Sequence, residues 1–349
     1  MDKIVNICDV CTEIFAGGDA PKGRISKEQT KEYPIPIYSN GEEKAGLYGF
    51  TDVARVEKPS VTVSARGTIG YTAIRTEPFV PIVRLITLVP DQNKIDIKYL
   101  YYAVQNYEFQ GSGTSIPQLT VPMLKKYNFP LPSKEEQQSV VSALDKISEL
   151  IALRKEQLVK LDQLVKSRFI ELFDGKHETK PLQAVCEELF AGGDVKKDKS
   201  SDTQSEEYPY PIYTNGEKDN GLYGYTSIVR VAKEAVTISG RGTIGFTCLR
   251  KEPFYPAVRL IVAVPKQELV NGCYLQHFIQ SKNYGGQGAS IPQLTVPMIK
   301  DEPIPVPPME LQKQFTAFVE ETDKSKLAIQ QSLDKLELLK KSLMQEYFG

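Results

Sequence analysis

Two arginines that stand beside glycines are the residues of this chain best suited to contact a ligand. Arg66 lies in an Ala-Arg-Gly-Thr segment and Arg241 in a Gly-Arg-Gly-Thr segment. A glycine neighbour lets the backbone approach a target closely, and a guanidinium can bind a phosphate or pair with O6 and N7 of guanine. These segments therefore predict contact with nucleic acid. The alternative is a structural ion pair, because both arginines stand where a strand is predicted to begin.

Lysine-rich and glycine-rich loops add further groups suited to nucleic acid. The loops at 20–32 and 195–207 are charged, and their cations would attract phosphates regardless of base sequence. With small polar side chains from other loops, the predicted DNA-binding residues are Lys22, Arg24, Lys27, Tyr38, Asn40, Arg66, Thr68, Thr114, Ser115, Lys196, Lys197, Lys199, Tyr213, Asn215, Arg241, Thr243 and Ser290. The alternatives are a solvated surface for the lysines and, for 115–123 and 290–298, packing of each domain onto a helix.

The sequence contains no recognisable catalytic or metal-binding constellation. His177 and His277 have no nucleophile nearby, and Cys8 and Cys11 have metal-like spacing without a second pair. Phosphate-loop, dinucleotide-binding and zinc-protease motifs are missing, as is the Asn/Asp-Pro-Pro-Tyr/Phe tetrapeptide of amino-methyltransferases. We therefore expect no catalysis, no metal site and no cofactor in this chain.

The composition is that of an ordinary globular protein. The 349 residues are 41% hydrophobic and 25% charged, which is enough for two domains with cores. No apolar run approaches 18 residues, the N-terminal residues resemble no signal peptide, and five irregularly placed cysteines favour a reducing compartment. We expect a cytoplasmic protein without a membrane partner. Because the net charge is −1, any positive surface must be local.

The chain consists of two similar halves. The Phe-Ala-Gly-Gly-Asp segment that begins at Phe15 returns at Phe190, an offset of 175 residues, and other segments return at the same offset. They are 33–38, 64–70 and 115–123, which correspond to 208–213, 239–245 and 290–298. The period is far longer than one solenoid unit, so each copy is predicted to be a domain followed by a helix.

Two long segments without proline or glycine predict helices that pair with each other. Apolar residues repeat at alternating spacings of four and three, which is the pattern of a coiled coil. The predicted seam contains Val140, Leu144, Ile147, Ile151, Leu158, Leu161 and Val165 in the first helix, and Phe315, Ile329, Leu333, Leu336 and Leu343 in the second. Phe169 and Phe173 lie off this seam with several leucines, and we expect this surplus to face other subunits.

The predicted fold class is α+β, with two similar domains, each a small mixed sheet plus helices, joined by two long helices in an antiparallel coiled coil. The domains are placed at 1–132 and 176–308 and the helices at 133–175 and 309–349. Within the first domain, helices are predicted at 9–15 (repeated at 183–190), 95–107 and 119–126, and strands at 35–38, 46–50, 60–64, 68–74, 82–89 and 127–131.

The motifs, taken in order, resemble the specificity subunit of type I restriction–modification enzymes. The most specific part is 114–137, where a Pro-Gln-Leu segment, a Leu-Lys pair, a Pro-Leu-Pro strand and a Glu-Gln pair lead into the long helix. The second copy, 290–312, is similar, with Ile-Lys-Asp in place of Leu-Lys-Lys. The opening segment 6–18 is also similar. The resemblance covers the whole chain, which is short for the family.

The resemblance implies that each globular domain is a target recognition domain for one half of a bipartite DNA sequence, with the coiled coil as the spacer. It also implies a non-catalytic chain. Its partners would be double-stranded DNA, two methyltransferase subunits and a motor-nuclease subunit, and those subunits would bind S-adenosylmethionine, ATP and Mg²⁺. Because the two halves are alike, we expect similar half-sites in inverted orientation. The alternative is a duplicated protein–protein scaffold that reads no DNA, which the near-neutral charge favours.

Overall fold

Two structural units make up the chain, and each combines one globular half with parts of both long helices. Unit 1 comprises Met1–Glu156 and Gln330–Gly349, and unit 2 comprises Gln157–Ile329. This computed structural model describes residues 3–107, 118–175, 177–282, 284 and 293–349.

Unit 1 is built on an antiparallel four-stranded sheet. Its elements are β1 (Lys3–Asn6), α1 (Ile7–Val10), β2 (Cys11–Ala16), β3 (Ile35–Tyr38), β4 (Leu47–Thr51), β5 (Ser60–Val63), β6 (Thr72–Arg75), β7 (Val80–Pro81), β8 (Ile86–Pro90), α2 (Ile97–Asn106), α3 (Val121–Leu124), β9 (Asn128–Leu131) and the first part of α4 (Lys134–Phe173). The main sheet has the order β2-β8-β5-β6, a second sheet has the order β4-β3-β7, and β1 pairs with β9.

The core of unit 1 lies between the main sheet and α2. Strands β5 and β8 are buried at every position and rich in β-branched residues, which suits central strands. Their side chains pack against the buried face of α2, including Tyr99, Leu100 and Val104. In the second sheet, β3 pairs antiparallel with β4 and parallel with β7. The prediction of an α+β fold with mixed strand pairing is confirmed.

Unit 2 repeats this architecture. Its elements are the end of α4, β10 (Thr179–Pro181), α5 (Leu182–Val185), β11 (Cys186–Ala191), β12 (Ser200–Ser201), β13 (Tyr210–Tyr213), β14 (Leu222–Thr226), β15 (Ala235–Ser239), β16 (Thr247–Arg250), β17 (Tyr255–Pro256), β18 (Leu260–Pro265), α6 (Gly272–Ser281), α7 (Val296–Ile299), β19 (Pro303–Pro305) and the start of α8 (Met309–Phe348). The strand orders are β11-β18-β15-β16, β12-β14-β13-β17 and β10-β19.

The helices predicted at 9–15 and 183–190 are wrong over most of their length. Helix α1 ends at Val10, and Cys11–Ala16 is a strand that pairs with β8. The helix begins early because the Asn6 side chain accepts a hydrogen bond from the Cys8 N–H at 3.0 Å. Thr12, Ile14 and Phe15 are β-branched or aromatic residues, which favour a strand. In unit 2, α5 and β11 divide the equivalent segment in the same way.

Two predicted strands begin too early. The strand predicted at 68–74 starts at Thr72, and the strand predicted at 82–89 starts at Ile86. In the second case Ile82–Leu85 forms a tight turn, in which the Leu85 N–H donates to the Ile82 carbonyl at 3.0 Å. The turn was missed because its central residues, Val83 and Arg84, are not residues that favour turns.

The long helices run antiparallel, as predicted. In unit 1, Val140 and Leu144 near the start of α4 share a buried cluster with Met344 and Phe348 at the end of α8. In unit 2, Val165 near the end of α4 shares a cluster with Phe315 and Val319 at the start of α8. Of the predicted seam residues, Val140, Leu144, Ile147, Val165, Phe315 and Leu333 are buried, and Ile151, Leu158, Leu161, Ile329, Leu336 and Leu343 are half-buried.

Phe169 and Phe173 pack against other aromatic rings of unit 2. Phe169 stacks on Tyr274 with ring centroids 5.8 Å apart, and Phe173 meets the same ring at 4.7 Å. Both also contact Phe315. The expectation that these two rings face partner helices is therefore wrong, because the globular part of unit 2 covers them.

A buried glutamine joins each long helix to its globular half. Gln137 is 1% exposed, and its Oε1 accepts from the Asp96 N–H at 2.8 Å while Nε2 donates to the Pro132 carbonyl at 3.0 Å. Gln312 repeats the arrangement with Asn271 and Pro307, each at 2.9 Å. The repeated glutamine is thus explained by packing, because an amide can satisfy both partners in a buried joint.

Candidate nucleic-acid interface

Asn40 gathers three turns of unit 1 into one surface. Its Oδ1 accepts from the Ala65 N–H at 2.7 Å, and its Nδ2 donates to the Val83 carbonyl at 2.5 Å. The neighbouring Gly41 N–H donates to the Ser64 hydroxyl at 3.2 Å. We call the turns joined in this way, at residues 40–41, 65–68 and 83–84, the loop edge of unit 1. Both functional groups of the Asn40 amide are engaged within the domain, so its observed role is to position the turns.

Arg66 stands at an exposed turn of this loop edge. Gly67 adopts a φ of +74°, and among the described residues no atom beyond its chain neighbours lies within 4 Å of where its Cβ would be, so a ligand can approach the backbone closely here. Arg66 and Thr68 are exposed. No hydrogen bond or ion pair joins the Arg66 side chain to another residue in the described part of the chain. The alternative of a structural ion pair thus has no support from the described residues.

Val83 and Arg84 form the third turn, and the sequence analysis missed them. Both have positive φ, 51° and 63°, and Val83 is 55% exposed. Arg84 donates from Nη1 to the Gln118 Oε1 at 3.0 Å. A signal was available in the repeat, because Val-Arg-Leu-Ile recurs at the equivalent position in the second half, as 258–261.

Glycines of the repeated Phe-Ala-Gly-Gly-Asp segment hold this turn. The carbonyls of Gly17 and Gly18 accept hydrogen bonds from the Arg84 and Val83 N–H groups at 3.0 and 2.8 Å. A Cβ at Gly17 would lie 2.6 Å from the carbonyl carbon and oxygen of Pro81. Glycine is therefore required at position 17 by close packing of two backbone segments.

Unit 2 builds the same loop edge from equivalent residues. Asn215 accepts from the Gly240 N–H at 2.7 Å and donates to the Val258 carbonyl at 3.0 Å. The Gly216 N–H donates to the Ser239 hydroxyl at 3.2 Å. Arg241 and Thr243 are exposed, and Gly242 has a φ of +73°. We call the turns at 215–216, 240–243 and 258–259 the loop edge of unit 2.

Tyr38 and Tyr213 each stack against an arginine of their own domain. The guanidinium of Arg75 lies 3.6 Å from the centroid of the Tyr38 ring and donates to the Ala45 carbonyl at 2.7 Å. Arg250 stacks on Tyr213 at the same distance. Burial lowers the pKa of Arg75 and of Arg250, and these stacking and hydrogen-bond contacts compensate the buried cations.

The lysine-rich loop of unit 1 is fastened to β4. Ser26 exchanges backbone hydrogen bonds with Phe50 at 2.8 and 2.9 Å, and Arg24 donates from Nε to Asp52 at 3.1 Å. Lys27 lies 4.7 Å from the Tyr48 ring centroid, and Lys22 is exposed. Because Asp52 offsets its charge, Arg24 offers less attraction to phosphates than Lys22 does.

The equivalent loop of unit 2 is held to β14 by the short strand β12. Lys196 and Lys199 are exposed, and Lys197 begins a single 3₁₀ turn, Lys197–Lys199. The described contacts do not connect either lysine loop to a loop edge. Thr114, Ser115 and Ser290 lie outside the described residues.

Two groups that could support catalysis, His277 and Cys11, are engaged in packing. The ring of His277 lies 5.1 Å from that of Phe315, and burial lowers the pKa of His277 to about 4. Burial raises the pKa of the Cys11 thiol to about 12. Among the described residues, no group of three or more histidines, cysteines or acids could hold a metal ion. None of the described helices is long and apolar enough to cross a membrane.

Comparison with known proteins agrees with this duplicated architecture. The sequence profile of the type I restriction modification DNA specificity domain matches residues 3–163 and again residues 176–339. A Mycoplasma pneumoniae protein named as a candidate type I specificity subunit is 27% identical over 329 residues, which cover 90% of this chain and 86% of that protein. The specificity subunit of the type I restriction enzyme MjaIX from Methanocaldococcus jannaschii is 27% identical over 47% of this chain and 40% of its own.

Solved structures share the fold. The crystal structure of a type I restriction–modification S subunit from M. genitalium covers 99% of this chain and 96% of its own, with a TM-score of 0.60 and 18% identity. A structure from work on assembly of a type I system has a TM-score of 0.62 and 14% identity, with 99% and 97% covered. The profile matches, which span nearly the whole chain, show that it belongs to the type I restriction–modification DNA specificity family.

Proposed function

We propose that the two loop edges are the DNA-reading surfaces of this chain, each serving one half of a bipartite target. The family is that of the non-catalytic DNA recognition subunit. The observation that carries the assignment of the surface is its repetition. Asn40 and Asn215 make the same pair of hydrogen bonds. In each loop edge, an exposed arginine stands beside a glycine with positive φ.

Charge supports the loop edges as local contact sites. The net charge of −1 gives no general attraction to DNA, so specific cations must supply it. Arg66 and Arg241 are exposed and carry no counter-ion among the described residues, whereas Arg24 is paired with Asp52. An unpaired guanidinium does not have to break an ion pair before it binds a phosphate or a guanine.

The chain acts with other subunits of a restriction–modification complex. We assign to these partners two methyltransferase subunits and a motor-nuclease subunit, which would supply S-adenosylmethionine, ATP and Mg²⁺. Apolar side chains on the helices offer a contact surface for them. Exposed apolar residues are Leu150, Leu153, Leu338 and Leu339 in unit 1, and Val159, Leu164, Ile170 and Leu327 in unit 2.

The half-sites are expected to be similar and inverted. The two loop edges share their geometry, and α4 and α8 run antiparallel. The segments that differ most between the halves are 20–32 and 195–207, 42–45 and 217–220, and 110–114 and 285–289. Any difference between the half-sites is expected to originate in these segments.

Arg66→Ala and Arg241→Ala test the assignment. Each should weaken binding to the target by about 1–3 kcal/mol while affecting random DNA less, if the arginine contacts bases. Binding is measured by gel shift over a salt series, using the full chain with its methyltransferase subunits. Equal losses on both DNAs would assign the arginines to phosphates. Binding unchanged by both variants would exclude the loop edges, and failure of the unchanged chain to bind DNA would favour the scaffold alternative.

A further inference from the structure

The turn at Val83 and Arg84 is strained and exposed. Positive φ at both central positions is a property of type I′ turns, which favour Asn-Gly. A β-branched residue at positive φ is a genuine outlier, because its Cβ crowds the backbone. Val83 nevertheless remains 55% exposed, so burial of its side chain does not account for its presence.

The surrounding backbone leaves this turn little freedom. The N–H groups of Val83 and Arg84 bond to Gly18 and Gly17, the Leu85 N–H closes the turn, and the Val83 carbonyl accepts from Asn40. Strained conformations persist where their surroundings over-determine them, and they concentrate at functional sites. The turn therefore holds the backbone of two exposed side chains in a fixed position.

The second half has the same pair of residues, but their backbone conformation differs. Val258 is 40% exposed, and its carbonyl accepts from Asn215 at 3.0 Å. Arg259 has a φ of 68°, but Val258 is not among the residues with positive φ. The two turns thus share their exposed valine and arginine rather than one turn type. This similarity points to a role for the side chains.

The pair lies beside the arginine of each loop edge. Asn40 links the Val83 carbonyl to the Ala65 N–H, and the Leu119 N–H donates to the Ala65 carbonyl at 2.9 Å. Gln118, next to Leu119, accepts from Arg84. Arg84 is consequently mounted next to the Arg66 turn and oriented by a neutral amide, which leaves its charge available to DNA.

The geometry points to Val83–Arg84 and Val258–Arg259 as base-reading pairs, an inference that rests on the proposed function. In the major groove, an apolar side chain recognises the C5-methyl group of thymine, and a guanidinium recognises O6 and N7 of guanine. Each pair reads neighbouring base pairs, the valine by apolar contact and the arginine by hydrogen bonds. Arg66 and Arg241 contact the DNA next to them.

The test is selection from a random double-stranded DNA library by the full chain with its methyltransferase subunits. Val83→Gly and Arg84→Ala should each reduce base preference at one or two positions of one half-site about ten-fold or more, leaving the other half-site unchanged. Val258→Gly and Arg259→Ala should do the same in the other half-site. Each half of the chain is therefore the control for the other.

Thermal melting separates this role from a structural one. Glycine accepts positive φ, so Val83→Gly should melt no lower than the unchanged chain, whereas Val258→Gly gains no such relief and should melt lower. Unchanged base preferences in all four variants, or equal weakening on every DNA, would overturn the base-reading role while leaving the proposed function intact. If the unchanged chain selected no sequence, the proposed function itself would fail.

Discussion

At the scale of single residues, many residues of the repeated motifs position other residues, which are exposed. Asn40 and Gly17 are engaged inside unit 1, and they hold the turns that carry the exposed cations Arg66 and Arg84. Gln137 is engaged in the joint between unit 1 and its long helix. The sequence predicted Arg66 from its glycine neighbour. It predicted Asn40 as a contact residue, but its observed hydrogen bonds join turns that are distant in sequence and only become neighbours in the fold.

Gly17→Ala tests the role of close backbone packing. The added Cβ would lie 2.6 Å from the Pro81 carbonyl, and backbone on both sides has to move. We expect a loss of about 1–3 kcal/mol in the free energy of unfolding, measured by urea denaturation. Gly18→Ala is the matched control, because its Cβ would meet only the flexible end of Arg55, at 3.2 Å. Equal losses in the two variants would contradict this explanation.

His277 predicts a pH dependence of stability. Its pKa is about 4 in the folded chain, chiefly because of burial, and about 6.5 when unfolded. The unfolded state therefore binds more protons between these values, so stability falls as the pH is lowered from 6.5 towards 4, by at most about 3 kcal/mol. Asp323 and Lys326 act on the ring in opposite directions.

His277→Gln should remove this part of the pH dependence. Thermal melting of both proteins from pH 7 to pH 4 gives the comparison, since other titrating groups are common to both. The difference in melting temperature between the two proteins should change across this range. A constant difference would show that the ring is not shielded from water as inferred.

At the scale of elements, long runs were easier to predict than short ones. Helices α4 and α8 are free of proline and glycine over 40 residues each, so their length outweighs local ambiguity. The segment 9–15 was too short for periodicity to distinguish helix from strand, and pairing with β8 decided the outcome. The four-residue turn at Ile82–Leu85 could not be predicted from propensity. It is held by hydrogen bonds that its N–H groups donate to the Gly17 and Gly18 carbonyls and by one that it accepts from Asn40.

Lengthening both helices tests whether they set the spacing of the half-sites. Four residues inserted after Glu156 and four after Ile329, where the units meet in sequence, should lengthen each helix by about 6 Å. At about 3.4 Å per base pair, the gap in the target should change by about two base pairs. Sequencing of methylated motifs measures the gap.

The half-sites themselves should keep their base sequence in the lengthened chain. An insertion of four residues in the exposed loop at 202–207 is the control and should leave the gap unchanged. If the helix insertions changed the bases of the half-sites but not the gap, the helices would not act as a spacer.

At the scale of the whole molecule, duplication gives each half a complete set of the same parts. Each half carries its own loop edge, its own joint to a long helix and its own exposed arginine, so a net charge of −1 is compatible with two local contact sites. The repeat could be found in the sequence alone because the motifs return at one offset. The packing of Phe169 and Phe173 onto Tyr274 could not, since it joins a helix to a domain that follows it.

The most direct measurement is single-molecule sequencing of methylated DNA from cells that contain the methyltransferase subunits with or without this chain. With the chain present, we expect a bipartite motif with two similar halves in inverted orientation and a fixed gap. Without it, that methylation should disappear. A motif that persists without the chain would contradict the claim that the chain reads DNA, and a motif with unrelated halves would contradict the claim that its two loop edges read alike.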